Sequence, residues 1–166
     1  KTPSDSRAIM NDMVLPSETT PLNNLFGGEL IASMDRATSI AEGGHRRQIT
    51  VTAAVNHVAF NDSVPLGSVG TGEAAIYIAF KTSMEVFIDV WIEDRSSRER
   101  TKANEAIYTF VAVDSNGRPV EVPPLKPETD LEKERYDAAL RRKQLSLVLA
   151  GKMNPQDATE LKALFM

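Results

Sequence analysis

At 166 residues the chain is long enough for one domain with a sizeable core and some appendage. Its 42% hydrophobic and 25% charged residues set disorder aside, and a net charge of −4 argues against a nucleic-acid binder, which needs a concentrated basic face. Cysteine is absent, which excludes disulfides, a thiolate nucleophile and cysteine-based metal sites, and two histidines are too few for a histidine-rich one.

Residues 1–8 are polar and are expected to be loose, without the apolar core of a signal peptide. No run reaches membrane-spanning length, so a cytoplasmic protein without membrane insertion is expected. IMNDMVL (9–15) fits a short strand, and the turn-rich PSETTPLNN (16–24) a loop. In residues 26–42, Phe26, Leu30, Met34, Ala37 and Ala41 recur at helical spacing, with Ile31 and Thr38 widening the stripe. Gly43 and Gly44 then supply a stop. This helix holds more small and apolar residues than a surface helix needs, which predicts that a sheet wraps it.

ITVTAAVNHVAF (49–60) is β-branched and apolar, and EAAIYIAF (73–80) is expected to put Ile76, Ile78 and Phe80 on one face. SMEVFIDVWIE (83–93) alternates, with Met84, Val86, Ile88, Val90 and Ile92 opposite Glu85, Phe87, Asp89 and Trp91. A charged loop leads to the strand ANEAIYTFVAVD (103–114), followed by a turn and the extended VEVPPL. Residues 128–150 read as a charged helix, and Asn154-Pro155 caps a last short one. The pattern is an α+β fold with an antiparallel sheet around the early helix, the sheet's other face being left for a second subunit.

PSETTPLNNLFGGELIASMDRATSIA, VTAAVNHVAF, KTSMEVFIDV, YTFVAVDSNGRPVEVPPL and KPETDLEKERY follow one another in register. Over roughly residues 9–143 the chain resembles the hotdog-fold acyl-CoA thioesterases. The resemblance implies a hotdog domain over 9–126 with a helical extension over 127–166, and hydrolysis of acyl-CoA to free acid and CoA. It implies active sites between subunits of a homo-oligomer, a dimer or a trimer of dimers, with each site expected to join Asn24 of one chain to Asp35 of the next. Beyond the CoA of the substrate, neither a cofactor nor a metal is implied.

The resemblance assigns the site residues. Gly27 and Gly28 open the helix, whose unpaired N–H groups and positive dipole end suit an oxyanion. Taken alone, the pair could as well serve helix-to-sheet packing. Asp35, at the border of the apolar stripe, occupies the position of the acidic catalytic group, as general base or nucleophile. Without the family it would read as a solvated residue paired with Ser39. Asn24 is matched to the Asn or Asp just before the xFGG motif, where an amide orients the water or the carbonyl; alone, it reads as an N-cap. Many relatives have glycine where this chain has Asn23. For CoA the candidates are Lys81, Thr82 and Ser83, then Arg98, Arg100 and Lys102. His57 reads as a core or interface histidine, and His45 as a cation at the helix end. A noncatalytic acyl-CoA-binding regulatory module and a hotdog dehydratase are the rival functions.

Overall fold

The computed structural model describes residues 1–45 and 49–166, with the side chains of residues 42–45 outside that description. Five strands form one antiparallel sheet: β1 (Ala8–Met13), β2 (Ile49–Phe60), β3 (Val69–Ala79), β4 (Ser83–Glu93) and β5 (Arg100–Val113), in the order β1-β3-β4-β5-β2. Helix α1 (Gly27–His45) leaves β1 at one edge and crosses the sheet before the chain returns as β2 at the other. The expected α+β sheet around a long helix is present.

The helical stripe explains the packing. Leu30, Met34, Ala37 and Ala41 are buried against Ala74 and Ile76 of β3, Met84, Val86, Ile88 and Val90 of β4, and Ala106, Tyr108, Phe110 and Ala112 of β5. Met34 is 1% exposed, and burying a side chain of that size contributes about 2 kcal/mol. Phe26, counted in the same stripe, is 57% exposed because it lies ahead of the first helical turn. The helix also runs past Gly43 and Gly44 to His45. Glycine costs about 1 kcal/mol in a helix without forbidding it, so the pair does not act as a stop. The His45 side chain lies outside the described residues.

Strand β4 alternates as its sequence predicts, but β3 does not. Its register slips between Ile76, opposite Val86, and Ile78, opposite Glu85. A bulge at Tyr77 therefore turns Ile78 to the outer face of the sheet while Ile76 stays against α1, and the expected common face is lost. The N-terminus is not loose either. Residues Pro3–Ser6 form a 3-10 turn, and the buried Ser6 hydroxyl accepts a 2.9 Å bond from the backbone N–H of Ile76.

Helix α2 (Asp130–Leu149) starts at a capping box: the Glu132 N–H donates to the Thr129 hydroxyl at 3.1 Å, and the Thr129 N–H donates to the Glu132 carboxylate at 3.0 Å. It packs on the outer face of the sheet, which corrects the expectation that this whole face awaits another subunit. Arg135 donates to the Tyr77 hydroxyl at 2.8 Å and to Asp89 at 3.0 Å, with its guanidinium 3.8 Å from the Phe87 ring centre. Arg142 reaches Glu85 at 2.7 Å. The alternate face of β4, read as mixed in sequence, is thus the seat of this helix. Beyond it lies a last short helix, α3 (Thr159–Lys162), after a turn capped by Asn154. Arg135→Ala strips the partly buried Asp89 of one cationic partner while Lys102 remains at 2.6 Å. We expect a loss of about 2–3 kcal/mol in urea unfolding, with α2 cleaved early in limited proteolysis.

Candidate functional site

The loop before α1 is a tight hairpin. The Asn23 N–H donates to the Thr20 carbonyl at 2.9 Å, and the Thr20 N–H donates to the Asn24 carbonyl at 2.8 Å. Thr19 and Leu25 form the next antiparallel bridge. Asn23 has φ +58°, the left-handed conformation that closes a three-residue hairpin loop. Glycine fits that conformation most easily, and asparagine is among the side chains that tolerate it. The exchange of glycine for Asn23 noted in the sequence is thus compatible with an unchanged turn.

The hairpin is pinned on both sides. The Leu25 N–H donates to the Val64 carbonyl at 2.7 Å, the Leu66 N–H to the Asn23 carbonyl at 2.8 Å, and the Phe26 N–H to the Glu18 carbonyl at 2.8 Å. Asn24 bridges Pro65 through its backbone and is half-buried; its amide side chain makes no hydrogen bond to a described residue. The N-cap position belongs to Phe26, whose carbonyl accepts from Leu30 at 3.1 Å, so Asn24 does not cap α1. The N–H groups of Gly27 and Gly28 also lack an acceptor among the described residues. Gly27 opens onto a surface cleft shared with Leu30, Phe60, Asp62 and Val64. A Cβ on Gly28 would come within 3.0 Å of the Phe26 ring, whereas one on Gly27 would meet only Phe60 at 3.8 Å.

Asp35 lies two turns along the helix, half-buried at the side facing β2. The Thr52 hydroxyl of β2 donates to its carboxylate at 3.2 Å. The Ser39 and Thr38 hydroxyls bond the Asp35 backbone carbonyl at 2.8 and 2.9 Å, so the pairing of Ser39 with the carboxylate does not form. Tyr108 rises from β5 beneath the helix and donates to the Ile31 carbonyl at 2.8 Å. Burial pushes its phenol well above the usual tyrosine range, and the charge of Asp35 adds to the shift. Thr52 and Tyr108 escaped the sequence reading: each is an ordinary strand residue until the sheet brings it to the helix.

The six CoA candidates do not converge. Lys81 and Thr82 occupy the β3–β4 turn and Ser83 begins β4, while Arg98 and Arg100 lie beyond its other end; eleven residues of strand separate the groups by roughly 35 Å. Lys81 is exposed, Thr82 accepts from the Ala112 N–H through its carbonyl, and Ser83 is buried. Arg98 is exposed, Arg100 lies 5.0 Å from the Trp91 ring centre, and Lys102 is held by Asp89 and Glu105, each at 2.6 Å. Within one chain, Lys81 and Arg98 are the cations of these two groups that stand clear of the sheet. His57 is exposed on β2 with φ +54°. Among the described residues no cluster of three His, Asp or Glu side chains is arranged as metal ligands are.

Comparison with known proteins gives a consistent set of relatives. A family model described as the thioesterase superfamily matches residues 22–98. The Bacillus subtilis acyl-CoA thioester hydrolase YkhA is 37% identical over 140 residues, which span 83% of this chain and 80% of that protein. An apo-hexameric acyl-CoA thioesterase superposes with a TM-score of 0.86 at 33% identity, over 90% of this chain and 96% of its own. An acyl-CoA hydrolase from Staphylococcus aureus, solved with butyryl-CoA, CoA and CoA disulfide, gives 0.84 at 30% identity, over 100% and 99%. That enzyme has also been solved with alanine in place of an aspartate, of an asparagine that precedes it and of a threonine that follows it.

The proximity of Asp35 to Tyr108 can be measured by alkaline titration of tyrosinate absorbance. A negative charge disfavours ionisation of the phenol, so removing it lowers the titration point. Asp35→Asn should therefore bring the Tyr108 transition to lower pH and leave that of Tyr77, which is shifted chiefly by its own burial, in place.

Proposed function

This chain belongs to the thioesterase superfamily, and from that premise we propose how its hotdog fold hydrolyses acyl-CoA. The observation that carries the reading is Asp35 held by Thr52. An aspartate on the central helix meets a threonine further along the chain, the same pair of residue types at the same spacing as those substituted in the Staphylococcus aureus enzyme.

The Asp35 carboxylate accepts a proton from water as its oxygen attacks the thioester carbon, and the Thr52 hydroxyl fixes the direction in which the carboxylate points. Negative charge gathers on the carbonyl oxygen, and the uncommitted N–H groups of Gly27 and Gly28 receive it at the positive end of the second subunit's α1, because within one chain eight residues of helix put Gly27 about 12 Å from Asp35. When the tetrahedral intermediate collapses the carbon–sulfur bond breaks, and the CoA sulfur leaves with the electron pair and takes up the proton. Asn24 of that second subunit is the amide available for orienting the water, so each site joins Asn24 of one chain to Asp35 of the other. Of the six candidates, Lys81 and Arg98 are the cations free to meet CoA phosphates. Because they lie at opposite ends of β4, each would serve a different subunit's substrate.

The assembly follows from β2. It pairs only with β5, so its second edge is unpaired among the described residues. Ile49, Val51, Val55 and Phe60 stand 59, 49, 38 and 54% exposed along it, a combination that invites pairing with another chain. Two copies joined along this edge bring each Asp35, which faces β2, to the subunit boundary. Three such dimers give the hexamer found in the apo-thioesterase relative. No described helix is long and apolar enough to cross a membrane. With acyl-CoA as substrate, a cytoplasmic site of action fits this assembly.

Two measurements test the reading. Thiol release from butyryl-CoA should fall by about 1000-fold in Asp35→Ala with its melting temperature retained. In Gly27→Pro it should fall by about 100-fold, because proline removes one N–H at the first helical position, where helices accept it. Turnover near that of the unsubstituted chain in Asp35→Ala, or binding of acyl-CoA without thiol release by the unsubstituted chain, would reject hydrolysis at this site. Val51→Lys should reduce the mass measured by light scattering and abolish activity together; a full-sized, active Val51→Lys would place the interface elsewhere.

A further inference from the structure

The hairpin before α1 carries a change that the spacing exposes. In the Staphylococcus aureus enzyme the substituted asparagine precedes the substituted aspartate by the same interval that separates Thr20 from Asp35 in this chain. The position of that amide is therefore held here by a threonine, while Asn24 stands closer to the helix, beyond the turn. On the other side of the aspartate the two proteins keep step, since the substituted threonine follows it by the interval from Asp35 to Thr52. The match therefore breaks at one side chain rather than along the segment.

The hairpin brings a second position beside Thr20. With Asn23 left-handed, and with the Asn23 N–H on the Thr20 carbonyl and the Thr20 N–H on the Asn24 carbonyl, residues 23 and 24 together oppose Thr20. In such a bulged closure the residue after the left-handed one shares a face with the residue it opposes, with Cβ atoms roughly 5 Å apart. Positions 20 and 24 are thus neighbours on one surface, although the turn separates them in sequence. The Asn24 backbone is pinned by Thr20 and Pro65, while its half-buried amide makes no hydrogen bond to a described residue. The Thr20 hydroxyl, by contrast, accepts from the Leu22 N–H at 3.3 Å and is engaged in the turn.

We propose that in this chain the reaction's amide has crossed the hairpin: Asn24 supplies it from the returning strand, in place of the asparagine that the relative carries at the position of Thr20. This rests on the hydrolytic reading above and adds that either position can carry the amide. The residue pair, rather than one fixed position, then sets the site.

Thiol release from butyryl-CoA by the full chain tests this in three variants, each with its melting temperature recorded. Asn24→Ala should lower kcat by about 100-fold with KM changed less than about threefold. Adding Thr20→Asn to Asn24→Ala should recover at least about tenfold of that loss, a rescue that a purely structural Asn24 would not show. If Asn24→Ala does not fold, the exchange Thr20→Asn with Asn24→Thr keeps both side-chain types on the surface and should stay within about tenfold of the starting activity. Near-normal kcat in Asn24→Ala, no rescue in a folded double variant, or an inactive but folded exchange each overturns the proposal. Absence of thiol release from the unsubstituted chain overturns the hydrolytic reading along with it, whereas failed rescue alone leaves hydrolysis at Asp35 standing.

Discussion

Everything in this molecule depends on how closely α1 can lie on the sheet. Small side chains make the approach possible: Ala37 and Ala41 on the helix meet Ala74, Ala106 and Ala112 across the interface, all at most 1% exposed. At Gly72 a Cβ would already touch Ile88 at 3.5 Å and Ala37 at 3.9 Å. Into this contact one large polar residue is inserted. Tyr108 satisfies its hydroxyl on the Ile31 carbonyl, and so fixes the helix along its own axis as well as in depth. Asp35 stands one turn beyond Ile31, which sets its carboxylate against Thr52 and not elsewhere on the sheet. The same close packing brings the start of α1 to Phe60 at the end of β2. Both halves of the candidate chemistry are therefore positioned by one helix-to-sheet contact.

The sheet's outer face does a different task. Arg135 and Arg142 of α2 hold Asp89 and Glu85, acids that the alternation of β4 turns away from the core. Charges largely removed from water need such partners, and α2 supplies them while its Arg135 covers the Phe87 ring. With that face occupied, the uncovered apolar surface of the sheet is concentrated on β2. In the proposed assembly this leaves the β2 edge as the surface for association.

The sequence was most legible where local pattern and tertiary packing agree. The alternation of β4 and the stripe from Leu30 to Ala41 translated directly into core positions, because each side chain is buried on the face its period specifies. It was least legible where backbone geometry departs from the period. The bulge at Tyr77 reverses Ile78, and nothing in EAAIYIAF marks a slip that the pairing with β4 imposes. Gly43 and Gly44 continue a helix because punctuation by glycine is a cost and not a prohibition. Asn23 shows the opposite case: a residue that looked like a departure sits in a backbone conformation that asparagine and glycine share.

The candidate site divides along the same line. The sequence by itself determined its ingredients: a glycine pair at a helix start, an acid at the edge of an apolar stripe, and a turn-rich loop leading in. These are statements about neighbours within one or two turns of chain, and short-range periodicity encodes them. Only the tertiary structure decided which groups meet. Thr52 reaches Asp35 from a different element, Thr20 and Asn24 face each other across a hairpin, and the cations on either side of β4 stand a strand's length apart. Strand register and helix depth fix those relations, and both depend on side chains distant in sequence packing against one another.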